Sequence, residues 1–134
     1  MIDRSLLEGY GARDGVAVVA FVDGRELQLL PEWHNDSVKR IQSVRLLDHG
    51  QMIAQVVSGG FASLGVIDQP TLGRYCAFAI ELERDVYRHY RLGNISEDEW
   101  CKRFRSYWKI VIKSRQIATA LSHSQLPTTL AWSA

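Results

Sequence analysis

The residues best suited to binding chemistry lie in one run, from 100 to 115, which holds six basic residues, four aromatic residues and no acidic residue. On an α-helix, Lys102, Arg105, Lys109 and Lys113 follow one another at steps of three, four and four residues, so they share one face. A second, apolar face contains Phe104, Tyr107 or Trp108, Val111 and Ala118. A helix of this kind can bury its aromatic side and present a row of cations to phosphate groups.

Three interpretations of this basic row are open. It can be the solvated face of an amphipathic helix, a contact surface for nucleic acid, or a contact surface for an acidic protein. Residues 69–134 carry ten basic and six acidic side chains, so the positive charge is concentrated in the second half of the chain. Our leading hypothesis is contact with nucleic acid, DNA or RNA, through the four cations.

Residues that could support catalysis are scattered along the chain. The histidines and cysteines have no partner at a spacing typical of a metal site, a redox pair or a nucleophile with its base. They are His34, His49, His89, His123, Cys76 and Cys101. The sequence therefore predicts no catalytic residue, no metal site, no cofactor and no enzymatic activity.

The basic run belongs to a predicted helix over residues 97–121. Ser96 and Glu99 form the pattern of a capping box, in which each side chain accepts a hydrogen bond from the backbone N–H of the other residue. Acidic residues in the first turn and basic residues later suit the helix dipole, so the cluster Glu97–Glu99 is explained without a catalytic role. Pro127 lies beyond the helix end.

A longer helix is predicted before it, over residues 70–92. Asp68 can cap its start, Pro70 fits its first turn, and Gly93 suits a left-handed residue after its end. The short link 93–95 predicts that the two helices lie antiparallel. The apolar seam of the first helix has 3-4-3-4-3 spacing and consists of Leu72, Tyr75, Ala79, Leu82, Val86 and His89.

The N-terminal part reads as β-structure. The apolar stretch 16–22 and the alternating stretch 25–30 flank Asp23-Gly24, which predicts a hairpin with a type I′ turn that ends at Pro31. Residues 36–57 fit either a helix or a second hairpin around His49-Gly50, and we favour the hairpin. Ser58-Gly59-Gly60 is the expected joint between the β-rich and helical parts.

These elements predict an α+β fold with N-terminal antiparallel β-hairpins followed by an antiparallel pair of long helices. At 134 residues the chain suits one domain, with a β-rich part at 1–60 and a helical part at 61–126. The longest apolar run, 16–22, is far shorter than the roughly 20 residues of a membrane span. We therefore expect a cytoplasmic protein without a membrane partner.

Residues 64–76 begin with Leu-Gly-Val-Ile-Asp and continue with Leu72 and Tyr75 into the predicted helix. This segment resembles one family of phage terminase small subunits, and the similarity extends loosely to residue 126. Those proteins assemble as rings and recognise viral DNA for packaging. The resemblance implies a phage or mobile-element origin, DNA as the nucleic acid, and a homo-oligomer.

The sequence thus predicts a non-enzymatic binding protein that contacts nucleic acid through its basic aromatic helix. The alternative is a protein-interaction module, an inhibitor or an adaptor, that docks through a hairpin edge or the aromatic face of the helical pair.

Overall fold

The computed structural model describes residues 3–57, 60–63 and 69–115. It shows an α+β fold in which an antiparallel sheet is followed by helices, as the sequence predicted. A 3₁₀ turn, Arg4–Leu6, precedes the sheet. These ranges contain six strands that pair in chain order: β1 Leu7–Arg13, β2 Val16–Phe21, β3 Arg25–His34, β4 Ser37–Asp48, β5 Gln51–Val57 and β6 Gly60–Ser63.

The turns follow from residues that tolerate positive φ angles. Asp14 and Gly15 (φ 54° and 77°) join β1 to β2, and His49 and Gly50 (φ 49° and 83°) join β4 to β5. Both pairs have the two positive φ values of a type I′ turn. The hairpin around His49-Gly50 is confirmed, and the helical alternative for 36–57 is wrong.

The hairpin at Asp23-Gly24 is also confirmed, but its turn differs from the type I′ turn that we predicted. Three residues connect the strands, Gly24 alone among them has a positive φ, and its N–H donates to the Phe21 carbonyl at 3.1 Å. This is the pattern of a type I turn followed by a left-handed glycine. With three connecting residues, Ala20 pairs with Glu26 and Ala17 with Leu29, and no register shift occurs between these pairs.

Two predicted boundaries in the sheet are wrong. Pro31 does not end β3, because it lies at a register shift between Leu30 and Pro31, where a strand tolerates the missing N–H. Gly60 begins β6 and pairs with Val57, so Gly60 belongs to the sheet and not to a joint with the helices. Residues 58–59 lie outside the described residues.

The first helix, α1, comprises Gln69–Arg91, which agrees with the predicted range 70–92. Gly93 has a φ of 81°, and its N–H donates to the Tyr90 carbonyl. The N–H of Asn94 donates to the His89 carbonyl at 2.9 Å, which completes the two bonds of a Schellman motif. Asp68, the predicted cap at the other end, falls outside the described residues.

The second helical segment consists of three consecutive pieces: α2 Glu97–Glu99, a π-helical stretch Trp100–Phe104, and α3 Arg105–Lys113. The prediction of a second long, regular helix is therefore not confirmed. Ser96 caps it, since its hydroxyl accepts from the Glu99 N–H at 3.1 Å. The Glu99 carboxylate accepts from Arg103 at 2.9 Å, and within the described residues it does not accept from the Ser96 N–H, so the reciprocal half of the capping box is not formed.

The helices cover one face of the sheet. Side chains that alternate along the strands meet those of α1 and α3 in one core, as period-two burial requires. Its fully buried members include Val19, Leu27, Leu29, Val44, Leu46, Leu72, Cys76, Leu82, Tyr107, Ile110 and Val111. The intervening side chains, among them Gln28, Arg45 and Gln55, therefore project from the opposite face of the sheet.

Candidate functional site

The apolar side of the second helical segment is buried, as predicted. Phe104, Tyr107 and Val111 face the core, and the Tyr107 hydroxyl donates to the Ala79 carbonyl of α1 at 3.0 Å. Burial raises the pKa of Tyr107 well above its ordinary value. The predicted fourth member of this face, Ala118, lies outside the described residues.

The other aromatic residues form a cluster between α1 and the second helical segment. Trp100 stacks on Tyr90 with ring centroids 4.6 Å apart, and Trp108 stacks on Tyr87 at 5.8 Å. Trp100 is only 7% exposed. These rings are occupied by one another, so they do not form an open platform for bases or for a partner protein.

Three of the six cations in the run 100–115 are neutralised by carboxylates. Lys102 pairs with Asp98 at 3.0 Å and Arg103 pairs with Glu99 at 2.9 Å, both one helical turn away. Arg115 reaches across to Glu83 of α1 at 3.3 Å. These pairs remove half of the positive charge that the sequence suggested.

Arg105, Lys109 and Lys113 have no carboxylate partner among the residues that the structure describes. They are four residues apart on the regular part of the segment, so they lie on one face over about 12 Å. Lys109 donates to the backbone carbonyl of Asp36 at 2.7 Å, which places this face beside the turn between β3 and β4. We call these three residues the basic face.

Lys102 does not belong to this face in the way that the spacing predicted. It lies within Trp100–Phe104, where hydrogen bonds of the i to i+5 type accommodate more residues per turn than in an α-helix. The step from Lys102 to Arg105 therefore no longer equals the α-helical rotation, and Asp98 engages the ammonium group. The candidate site is reduced from four cations to three.

Glu83 is the most buried charged residue of the described chain, with 3% exposure. Burial raises the pKa of this carboxyl group, and Arg115 opposes the shift. Nearby on α1, Asp85 accepts hydrogen bonds from Arg4 and Arg88, and the Arg4 guanidinium lowers the pKa of Asp85. Both carboxylates thus tie α1 to other parts of the chain through ion pairs.

The described residues contain no group of three side chains that could hold a metal ion. Cys76 is completely buried, and burial raises the pKa of its thiol to about 12, which keeps it in the unreactive protonated form. Cys101 is exposed and lies far along the chain from Cys76. None of the helices in the described ranges is long and apolar enough to span a membrane.

The hairpin edge that we considered as a docking surface is not free. Gln28 of β3 pairs with Val18 on one side and with Arg45 on the other, so β3 is an interior strand. Sequence reasoning missed β1, which covers β2, because Gly9 and Gly11 weaken its strand pattern. Asp14-Gly15 was the signal that could have identified the extra hairpin.

Sequence reasoning also missed a polar row on the uncovered face of the sheet. Gln28, Arg45 and Gln55 are neighbours across β3, β4 and β5. Each is flanked along its own strand by buried apolar residues, and this alternation in 27–29, 44–46 and 54–56 was the available signal.

No model of a protein family, no curated protein and no solved structure matches the chain. The resemblance to phage terminase small subunits stays a prediction, and function has to be argued from the geometry of the chain.

Proposed function

We propose that the protein is a non-enzymatic binding protein that contacts nucleic acid through the basic face formed by Arg105, Lys109 and Lys113. The observation that supports this most directly is that the three cations have no carboxylate partner within the described ranges, in a region where Lys102, Arg103 and Arg115 all have one. Cations that a fold does not neutralise are available to an anionic partner.

The geometry suits a phosphate backbone. The three cations rise about 6 Å from one to the next along α3, on a face opposite to the buried Tyr107, Ile110 and Val111. Phosphates recur at short, regular intervals along a nucleic acid strand, so a straight row of cations can contact several of them. Since the aromatic rings are buried or stacked on one another, we expect contact with the backbone and little reading of base sequence.

The proposal is tested by replacing Arg105, Lys109 and Lys113 together with Gln and measuring binding to double-stranded DNA and single-stranded RNA by fluorescence anisotropy. Each lost phosphate contact should reduce the slope of log K against log salt by about 0.7–0.9, so roughly 2–3 in total. Binding that is equally strong and equally salt-dependent in the variant would show that the basic face is only solvated.

A matched control removes the same charge elsewhere. Arg40, Arg84 and Arg88 are exposed cations paired with Glu32, Glu81 and Asp85. Their replacement with Gln changes the net charge by the same three units but leaves the basic face intact. If this control loses as much affinity as the test variant, binding depends on net charge and not on the basic face.

The resemblance of residues 64–76 to terminase small subunits supports a more specific form of the proposal, with DNA as the nucleic acid and a ring as the assembly. Light scattering during size exclusion, with and without duplex DNA, measures the number of subunits. A monomer under both conditions would remove the ring from the proposal while leaving the basic face to be judged by the anisotropy data.

A further inference from the structure

The sheet face opposite the helices carries a second charged feature, which lies apart from the basic face. Gln28, Arg45 and Gln55 are cross-strand neighbours at the centre of this face. Beside them Leu30, Ser43 and Val57 form the adjacent cross-strand row. All of these residues except Gln28 line a concavity of about 600 Å³, together with Arg40 and Gln42.

Arg45 differs from the other arginines that project from this face. Arg13 pairs with Glu26 at 3.5 Å, and Arg40 pairs with Glu32 at 2.5 Å. Arg45 has no ion pair within the described part of the chain, and its Nε atom is buried without a hydrogen-bond partner. A buried donor without an acceptor is destabilising, so the presence of such a donor in this fold calls for an explanation.

No described neighbour supplies that acceptor. The Gln28 side-chain amide donates to Glu26 at 2.7 Å, and the Gln55 side-chain amide donates to the Ser43 hydroxyl at 3.2 Å. Both amides are therefore held along the face by other residues. Arg45 lines the concavity, and its Nε–H has no acceptor among the described residues, so a carboxylate bound in the concavity can pair with the guanidinium group.

We propose that this concavity is a binding site for a small organic monocarboxylate, with Arg45 as the residue that holds the carboxylate group. A guanidinium group matches a carboxylate in a bidentate pair, and one uncompensated positive charge balances one negative charge. A doubly charged phosphate would need a second free cation, whereas Arg40 is already paired with Glu32. Leu30 and the partly exposed Val57 give the concavity apolar walls for a short hydrocarbon chain.

The test is a titration of the ¹⁵N-labelled protein with butyrate, acetate and inorganic phosphate at constant ionic strength. We expect saturable shifts of the Arg45 Nε–H signal and of backbone amides in 43–45 and 55–57, with butyrate binding more tightly than acetate. Shifts that do not saturate, or tighter binding of phosphate than of butyrate, would overturn the proposal.

Variants separate the role of Arg45 from general charge. Arg45→Gln should weaken butyrate binding at least tenfold, whereas Arg13→Gln, which removes a paired cation from the same face, should change it less than twofold. Arg45→Lys keeps the charge without the bidentate geometry, and it should weaken binding to an intermediate degree. If Arg45→Gln does not fold, butyrate binding by Arg45→Lys tests the role of the guanidinium group. Unchanged butyrate binding in either Arg45 variant would contradict the assignment. Neither variant touches α3, so the outcome is independent of the proposed nucleic-acid contact.

Discussion

At the scale of single residues, Glu83 offers a direct test of buried charge. Its carboxyl group is 3% exposed, and burial raises its pKa despite the neighbouring Arg115. A raised pKa means that the folded protein holds the proton to a higher pH than the unfolded chain does. The contribution of Glu83 to stability is therefore complete below its ordinary pKa of 4.5 and is lost as the pH rises through the folded value.

We predict that Glu83→Gln changes the pH dependence of stability. Because Gln does not ionise, the free energy of unfolding of the variant should rise relative to that of the original protein as the pH increases from 4.5 to 8. Urea denaturation at several pH values measures this. Asp85, whose pKa is lowered by Arg4, is present in both proteins, so it does not contribute to the difference between them.

The control for this variant is Glu81→Gln, on the exposed side of the same helix, where the side chain is half exposed. This variant measures the effect of removing a carboxyl group that is not buried. If the free energy of unfolding of Glu83→Gln and that of the original protein change equally with pH, the buried carboxyl group ionises as freely in the folded as in the unfolded chain.

A second residue-scale prediction concerns Tyr107. Its hydroxyl donates to the Ala79 carbonyl in a fully buried position, so Tyr107→Phe should lower the free energy of unfolding by about 0.5–1.5 kcal/mol. Tyr87→Phe is the matched control, because the Tyr87 hydroxyl makes no hydrogen bond to the described residues and serves mainly in ring stacking. Equal losses in the two variants would assign the effect to packing and not to the hydrogen bond.

The candidate site shows what residue spacing can and cannot predict. The spacing correctly separated the buried face of the basic run from its charged face, since both follow from helical periodicity. The pair of Asp98 with Lys102 has the i, i+4 spacing of neighbouring helical side chains, so the sequence did contain a signal for it. Spacing could not show that Arg115 reaches Glu83 or that Lys109 contacts the Asp36 carbonyl, because these contacts depend on how distant elements pack.

At the scale of elements, the start of the second helical segment depends on Ser96. Its hydroxyl accepts from the Glu99 N–H, and Ser96→Ala should lower the free energy of unfolding by about 0.5–2 kcal/mol without altering binding. Ser106→Ala, at an exposed site in α3, should be neutral or slightly stabilising because alanine favours helices. Thermal unfolding distinguishes the two, and equal stability of Ser96→Ala and the original protein would mean that the cap contributes nothing.

The end of α1 depends on Gly93. Its φ of 81° is unfavourable for residues with a Cβ atom, although the space around it is open. We predict that Gly93→Ala costs about 1 kcal/mol, whereas Gly93→Asn costs less because asparagine tolerates the left-handed region. The Cβ atom of either variant meets no neighbouring atom within 4 Å, so steric clashes do not distinguish them. If chemical denaturation gives both variants the same free energy of unfolding, the left-handed backbone does not explain the loss.

Local signals predicted several elements well. Asp23-Gly24, His49-Gly50, Ser96 and Gly93 all act where they were expected, since turns and helix caps depend on a few adjacent residues. The π-helical stretch Trp100–Phe104 was not predictable in this way. It coincides with the packing of Trp100 on Tyr90 and of Phe104 on Tyr10, which are tertiary contacts.

At the scale of the whole molecule, the core is divided into two connected clusters. The larger one lies between the sheet and the helices, and the smaller one contains Val86, Trp100 and Phe104. Tyr10 of β1 packs against both, with its ring 5.9 Å from Phe104 and 5.5 Å from Tyr107. Strand β1, which sequence reasoning missed, therefore connects the sheet to the aromatic cluster.

This connection predicts that the sheet and the helices unfold together. Replacing Trp33 and Trp132 with Phe leaves Trp100 and Trp108 as the fluorescent residues, and both lie in the aromatic cluster between the helices. Fluorescence then reports the cluster, while circular dichroism reports the backbone of the whole fold. The two unfolding curves in urea should coincide, as a two-state transition requires.

Tyr10→Ala, which removes the shared ring, should destabilise both clusters by a few kcal/mol and bring the fluorescence transition to lower urea than the circular dichroism transition. If the curves already separate in the protein that retains Tyr10, the aromatic cluster unfolds independently and the link through β1 does not make folding cooperative.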